Sequence, residues 1–164
     1  MVPLGFLLAL AAPAESPLPY PAEAILGAFA TACSGIEDMA VAKASATAAG
    51  WVEAEPTADE PMGRIIEMGR NALENDSEIT LLPGATYRRT IAGRDLYLVL
   101  SGAAIDKIET RGCRLYDLAA TEEIDFATLE NWAVRAPIAI TPLPDGTSKY
   151  VWNPGLKPGH MEME

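Results

Sequence analysis

EITLLPGATYRRTIAGRDLYLVLSGAAIDKIETRGCRLYDL, residues 78–118, is the stretch where the hydrophobic period of the chain changes from helical to alternating. The runs EITLL, ATYRRTI, DLYLVL and CRLYDL are short and rich in β-branched or aromatic residues, and Pro83-Gly84, Ala92-Gly93 and Gly112 separate them. This pattern predicts antiparallel strands joined by turns, with Cys113 at the head of the last one. Strands of this kind need a covering layer on at least one face. The flanking sequence supplies it.

Upstream, Ile25, Leu26, Phe29 and Cys33 recur at helical spacing, and Gly35 stands where that helix would stop. Cys33 therefore faces inward. Ser34 and Glu37 have the Ser-x-x-Glu spacing of a capping box, which predicts a second helix carried by Ile36, Ala40, Val41, Ala44 and Ala48. Gly50 suits the left-handed residue that ends it, with Trp51 folding back on the last turn. Two helices that meet through alanines can approach closely. After the acidic loop EAEPTADEP, residues 53–61, the residues Met62, Ile65, Ile66 and Leu73 predict a third helix weakened by Gly63 and Gly69.

Downstream, Asp125 caps a helix whose Phe126, Leu129 and Trp132 form one stripe. The runs IAI and KYVW then flank Pro144-Asp145-Gly146, a hairpin turn. The order predicts an α+β fold: an antiparallel β-sheet covered on one face by N-terminal helices and one later helix. The 164 residues suit a single domain, read as 22–153, followed by a turn-rich flexible tail, 154–164.

The first fourteen residues, MVPLGFLLALAAPA, form an apolar run that ends in the small-x-small pattern Ala12-Pro13-Ala14. Too short to span a bilayer, which takes about 20 residues, the run reads as a signal peptide, 1–14, without a stable membrane anchor. Residues 15–21 form a Pro-rich N-terminal segment. The expected location is periplasmic or secreted. A balance of 23 acidic against 12 basic residues gives a formal charge of −11, which repels phosphate backbones, so no nucleic acid partner is expected. Of the clustered arginines Arg88, Arg89, Arg94, Arg111 and Arg114, strand alternation sends neighbours to opposite faces. They read as solvated strand positions.

The two cysteines, Cys33 and Cys113, admit three readings: a disulfide, two buried thiols, or a thiol nucleophile. Export to an oxidising compartment favours the disulfide. A nucleophile needs an adjacent base, and the lone histidine, His160, stands in the tail. No catalytic residue, cofactor or metal site is expected. His160 with Met161 and Met163 has the donors of a Cu(I) site, but a frayed end is the simpler account. The acidic runs lack the EF-hand pattern. Glu122, Glu123 and Asp125 suit a helix start, where negative charge is favourable.

Trp51, Trp132 and Trp152 stand at element ends or on an apolar stripe, where burial in the core is the default. If some aromatics line an opening instead, Trp51, Tyr87, Tyr97, Tyr116 and Trp152 would be the walls of a groove. The arrangement Phe29-x-x-x-Cys33, an Ala-rich helix running into Gly50-Trp51, Cys113 on a strand, Leu129 and Trp132, and a last hairpin with Tyr150 and Trp152 resembles small secreted bacterial proteins of unknown function. The resemblance spans residues 25–153. It implies export and a Cys33–Cys113 pair, and it carries no activity.

The functional expectation is an exported, disulfide-linked, non-enzymatic binding domain. Its partner would be a protein or a small apolar ligand held between helices and sheet. The second expectation is a carboxylate-dependent hydrolase acting on cell-envelope glycan or peptide, which needs two acids across an open cleft.

Overall fold

A computed structural model describes residues 19–74, 76–144 and 146–155. The signal peptide expected at 1–14 and the His160, Met161 and Met163 group lie outside the described residues. Helix α1, Ala22–Cys33, buries Ile25, Leu26, Ala32 and Cys33. Helix α2, Met39–Ala48, buries Ala42 and Ala46. Ala32, Ala42 and Ala46 are each wholly inaccessible, so the two helices meet through methyl groups.

The capping box expected at Ser34 and Glu37 is not formed, because α2 starts later. Asp38 is the cap, and its carboxylate accepts from the amides of Ala40 at 2.8 Å and Val41 at 3.2 Å. Ser34 donates back to the Thr31 carbonyl instead. The delay has a packing cause: a Cβ on Gly35 would sit 2.7 Å from a Val41 methyl, so the turn folds tightly over the first turn of α2. At its other end α2 closes as expected. Gly50 takes φ +82° and donates to Thr47, while Trp51 donates to Ala46, the paired bonds of a Schellman motif. That turn drives Trp51 into the core.

Strand β1, Val52–Glu53, leads through an acidic segment to α3, Pro61–Glu74, which lies against the next strand. The long strands are β2, Ile79–Ile91, β3, Arg94–Ile105, and β4, Ile108–Tyr116, in the antiparallel order β1-β2-β3-β4. Ala92 and Gly93 make the expected tight turn, both with positive φ. Pro83-Gly84, expected as a turn, is instead a bulge inside β2. Leu82 pairs with Gly102 and Ala85 with Leu100, so two residues oppose one and the strand runs on. Pro83 has no amide to offer the ladder, and a Cβ on Gly84 would lie 2.3 Å from the Leu100 carbonyl.

Gly112 also lies within a strand, opposite Ser101. The β3–β4 turn is at Asp106-Lys107, and Cys113 sits in the middle of β4. Helix α4, Phe126–Ala133, is capped by Asp125, which accepts from the Thr128 amide. It packs on α1 through Phe29 and Trp132, whose rings are 6.2 Å apart. A separate hairpin joins β5, Ala139–Pro142, to β6, Ser148–Val151.

The fold is thus α+β, with N-terminal helices and one later helix accompanying an antiparallel sheet. Its core lies between α1, α2 and the sheet face that carries Tyr87, Leu96, Leu98 and Leu100. The three leucines are at most 1% exposed, and burying each contributes about 1.5–3 kcal/mol. Cys33 and Cys113 form a disulfide across this layer, their Cα atoms 5.7 Å apart, which ties α1 to β4. Among the described residues no helix is long and apolar enough to cross a membrane.

Candidate functional site

Strand alternation divides the five aromatic residues considered as groove walls. Trp51 and Tyr87 belong to the core beneath α1 and α2, at 2% and 3% exposure. Trp152 is equally buried, its ring tilted against that of Tyr150 and its indole N–H donating to the Arg135 carbonyl. The space between helices and sheet is therefore filled by side chains. Tyr97 and Tyr116 differ: they are half-buried, pair directly across β3 and β4, and lie on the opposite face.

Register extends that pair into a row. Val52 pairs with Arg88, Arg88 with Tyr97, and Tyr97 with Tyr116, so one line of side chains crosses all four strands of the sheet. A second line runs from Thr86 through Val99 to Arg114, whose guanidinium donates to Ser101. Side chains directly opposite one another in such rows form a continuous contact surface.

Where β1 ends, the chain bends beside this row and borders an open cleft of about 280 Å³, lined among others by Glu53, Glu55, Pro56, Glu60, Arg88 and Tyr97. The Ala54 amide still bonds to the Thr86 carbonyl, which fixes the point of departure from the sheet. The acidic stretch is then held by its own bonds. The Thr57 amide donates to the Glu60 carboxylate at 2.6 Å, and the Thr57 hydroxyl donates to both Asp59 and Glu60. That hydroxyl holds the Asp59 carboxyl below its usual range. A Cβ on Gly63 would lie 1.9 Å from the Thr57 carbonyl oxygen, so α3 clamps the segment from behind.

The acidic loop is therefore exposed to solvent, as its composition suggests, and also ordered by its own bonds. Arg88 lines the opening beside it. Among the described residues its exposed guanidinium makes no hydrogen bond or ion pair. The opening thus presents an unused cationic fork beside an aromatic ring, whereas Glu53 lies opposite Tyr87 and the Glu60 carboxylate is turned onto Thr57. A guanidinium recognises carboxylate or phosphate in a bidentate way, and an aromatic face receives apolar or cationic groups.

A second cluster closes the other end of the sheet. The Asp117 carboxylate takes both arms of the Arg94 guanidinium, at 2.7 and 2.9 Å, and the Tyr20 hydroxyl donates to it at 3.1 Å. Arg94 also lies over the Tyr20 ring, 5.5 Å from its centre. Arg94 holds the Asp117 carboxyl below its ordinary range, and burial together with the Asp117 bond pushes Tyr20 up to about 12. With every strong partner used internally, this cluster is a clamp on the start of the described chain.

Arg88, Glu53, Glu55 and Glu60 are the residues that sequence reasoning did not assemble. Each is unremarkable locally; the β2–β3 register sets Arg88 beside Tyr97, and the path of the chain beyond β1 carries Glu55 and Glu60 past them. Both cysteines are consumed by the disulfide, so neither supplies a thiol. Among the described residues no group of three His, Cys, Asp or Glu side chains could hold a metal ion. The chain matches no protein-family model, no curated protein and no solved structure.

Proposed function

We propose that this protein is an exported, disulfide-linked, non-enzymatic binding domain that engages its ligand or partner on the sheet face opposite α1 and α2. The observation that carries this reading is the row Arg88–Tyr97–Tyr116 beside the cleft, which joins aromatic surface to an unpaired guanidinium. Tyrosine and arginine are enriched where binding energy concentrates. Export is supported by the Cys33–Cys113 bond, by the apolar run ending in Ala12-Pro13-Ala14, and by the likeness to small secreted bacterial proteins.

The test is photo-crosslinking in cells, with p-benzoylphenylalanine replacing Tyr97, Tyr116 or, as a control at the β3–β4 turn, Lys107. Positions 97 and 116 should give an adduct of one defined mass that Lys107 does not, and Arg88→Ala should diminish it. Identical patterns at all three positions, or no adduct, would remove the reading.

Glu55 and Glu60 beside one opening also support a second reading, a carboxylate-dependent hydrolase acting on envelope glycan or peptide. It requires product release that Glu55→Gln or Glu60→Gln abolishes. Release unaffected by either substitution would exclude it.

A further inference from the structure

We infer that α1 is a strap latched at both ends along β4 and that either latch alone keeps it shut, so that the inner face of the sheet opens only when a dithiol reduces Cys33–Cys113 and Asp117 releases Tyr20 as well. At one end the last residue of α1, Cys33, is bonded to Cys113 in the middle of β4. At the other end Tyr20, just before α1, donates its hydroxyl to Asp117, just after β4, and its ring lies beneath the Arg94 guanidinium. Helix α1 therefore runs along β4 in the opposite direction. From Tyr20 to Cys33 is about 20 Å at the rise of a helix, and from Cys113 to Asp117 about 13 Å at the rise of a strand. The tyrosine side chain spans the difference.

The Tyr20 latch is coupled stiffly to the helix. Pro19 and Pro21 flank Tyr20, the Ala22 amide donates to the Tyr20 carbonyl at 2.8 Å, and the Ile25 amide donates to the Pro21 carbonyl at 3.2 Å. Between the latches α1 rests on the methyl groups of α2 and, through Phe29, on Trp132 of α4, whereas α2 is the helix that lies close along β1, β2 and β3. On β4, Cys113 and Leu115 pair with the buried Leu100 and Leu98 and are only partly buried themselves. Lifting α1 bares that apolar strip, on the face opposite the binding row.

A latch that breaks while the other holds leaves its partners at high local concentration, so it re-forms before the helix departs. Loss of both removes the restraint, and the joint effect exceeds the product of the single ones. The reduction balances: a thiolate of the dithiol attacks one sulfur, the mixed disulfide resolves onto the dithiol's second sulfur, and Cys33 and Cys113 gain two electrons and two protons as thiols while the dithiol becomes a disulfide. In an oxidising compartment the strap stays shut whatever becomes of Tyr20. In a reducing one Tyr20 alone holds it.

The experiment is amide hydrogen exchange by NMR on the full chain, oxidised or reduced with dithiothreitol, for the wild type and for Tyr20→Ala, which leaves the Arg94–Asp117 pair in place. In each sample the protection of residues 26–33 in α1 is divided by that of residues 96–100 in β3, so a change in global stability, which moves both, cancels. Relative to the oxidised wild type, reduction alone or Tyr20→Ala alone should lower this ratio by no more than about threefold, and the two together by about thirtyfold or more. Tyr20→Phe, which keeps the ring beneath Arg94 and loses only the hydroxyl, should fall between under reduction. An unchanged ratio in reduced Tyr20→Ala would show that α1 leaves only with the whole fold and would overturn the strap. So would a thirtyfold fall in the reduced wild type, or loss of all protection in reduced Tyr20→Ala, because the second latch would then hold nothing or the opening would not be confined to α1.

Discussion

Removing the cross-link, by the double substitution Cys33→Ala and Cys113→Ala, should cost about 4.5 kcal/mol of stability. The figure follows from the 80-residue separation of the two cysteines: closing so long a loop removes about 15 cal/mol/K from the unfolded chain, which at 25 °C gives that energy. Cys33 is 1% exposed and alanine leaves its backbone untouched, so the substitution removes two sulfur atoms and the tether but leaves the layers in position. Domains of this size have about 5–15 kcal/mol in hand, so the loss is a large share of the total. It should lower the melting temperature by about 15 °C. Urea unfolding followed by circular dichroism, for the wild type, the reduced wild type and the double variant, measures it directly. Reduced wild type and variant should agree. A loss below about 1 kcal/mol at unchanged m would refute the loop-closure reasoning and assign the joining of α1 to β4 to packing alone.

Other outcomes test individual contacts. The Asp117 carboxyl lies below its ordinary value of 3.8 in the folded protein, so the stability it adds is present above about pH 4 and is lost as pH falls through the folded value; Asp117→Asn should remove that acid dependence in a denaturation series. Tyr20 has the opposite sign. Its value rises from 10.0 to about 12, so the stability it adds is complete below pH 10 and fades towards pH 12; ultraviolet titration should show one late phenol that Tyr20→Phe deletes. Gly63→Ala meets the Thr57 carbonyl and should destabilise by about 1–3 kcal/mol, whereas Gly69→Ala has nothing within 4 Å and should stabilise by about 0.5–1 kcal/mol in the same assay. Val134 holds a left-handed φ of 56° while 88% exposed, so Val134→Gly should raise stability by about 1 kcal/mol, read as a higher melting temperature.

Features set by a few neighbouring residues were legible in the sequence. Gly50 ending α2, Asp125 starting α4 and Ala92-Gly93 turning β2 into β3 each depend on short-range bonds and one special φ. Where distant pairing decides, the same residue types mislead. Pro83-Gly84 has the chemistry of a turn, yet the ladder to β3 on both sides carries the strand through it as a bulge. Gly112 is likewise held in line by Ser101. Asp38 displaced the Ser34 cap because Gly35 packs on Val41, a contact that spacing alone does not reveal.

The candidate site shows the same division. Tyr87 and Tyr97 are alike as sequence, but Tyr87 pairs with Leu98 in the core whereas Tyr97 pairs with Arg88 outside it. Which tyrosine is which follows from the register that the Ala92-Gly93 turn sets, unbroken from Ile91–Arg94 to Ala85–Leu100. The acidic loop 53–61 is exposed as its composition suggests, but its ordering depends on Thr57 and on α3 behind it, which composition does not reveal.

The tie between α1 and β4 also bears on how the chain matures. With two cysteines in the whole sequence, one intramolecular pairing exists, so oxidation cannot scramble the molecule within itself. The first sulfur must nonetheless wait for 80 further residues to be made before its mate exists. During that interval its hazard is another molecule, and mixed dimers through Cys33 are the error this chain has to outrun.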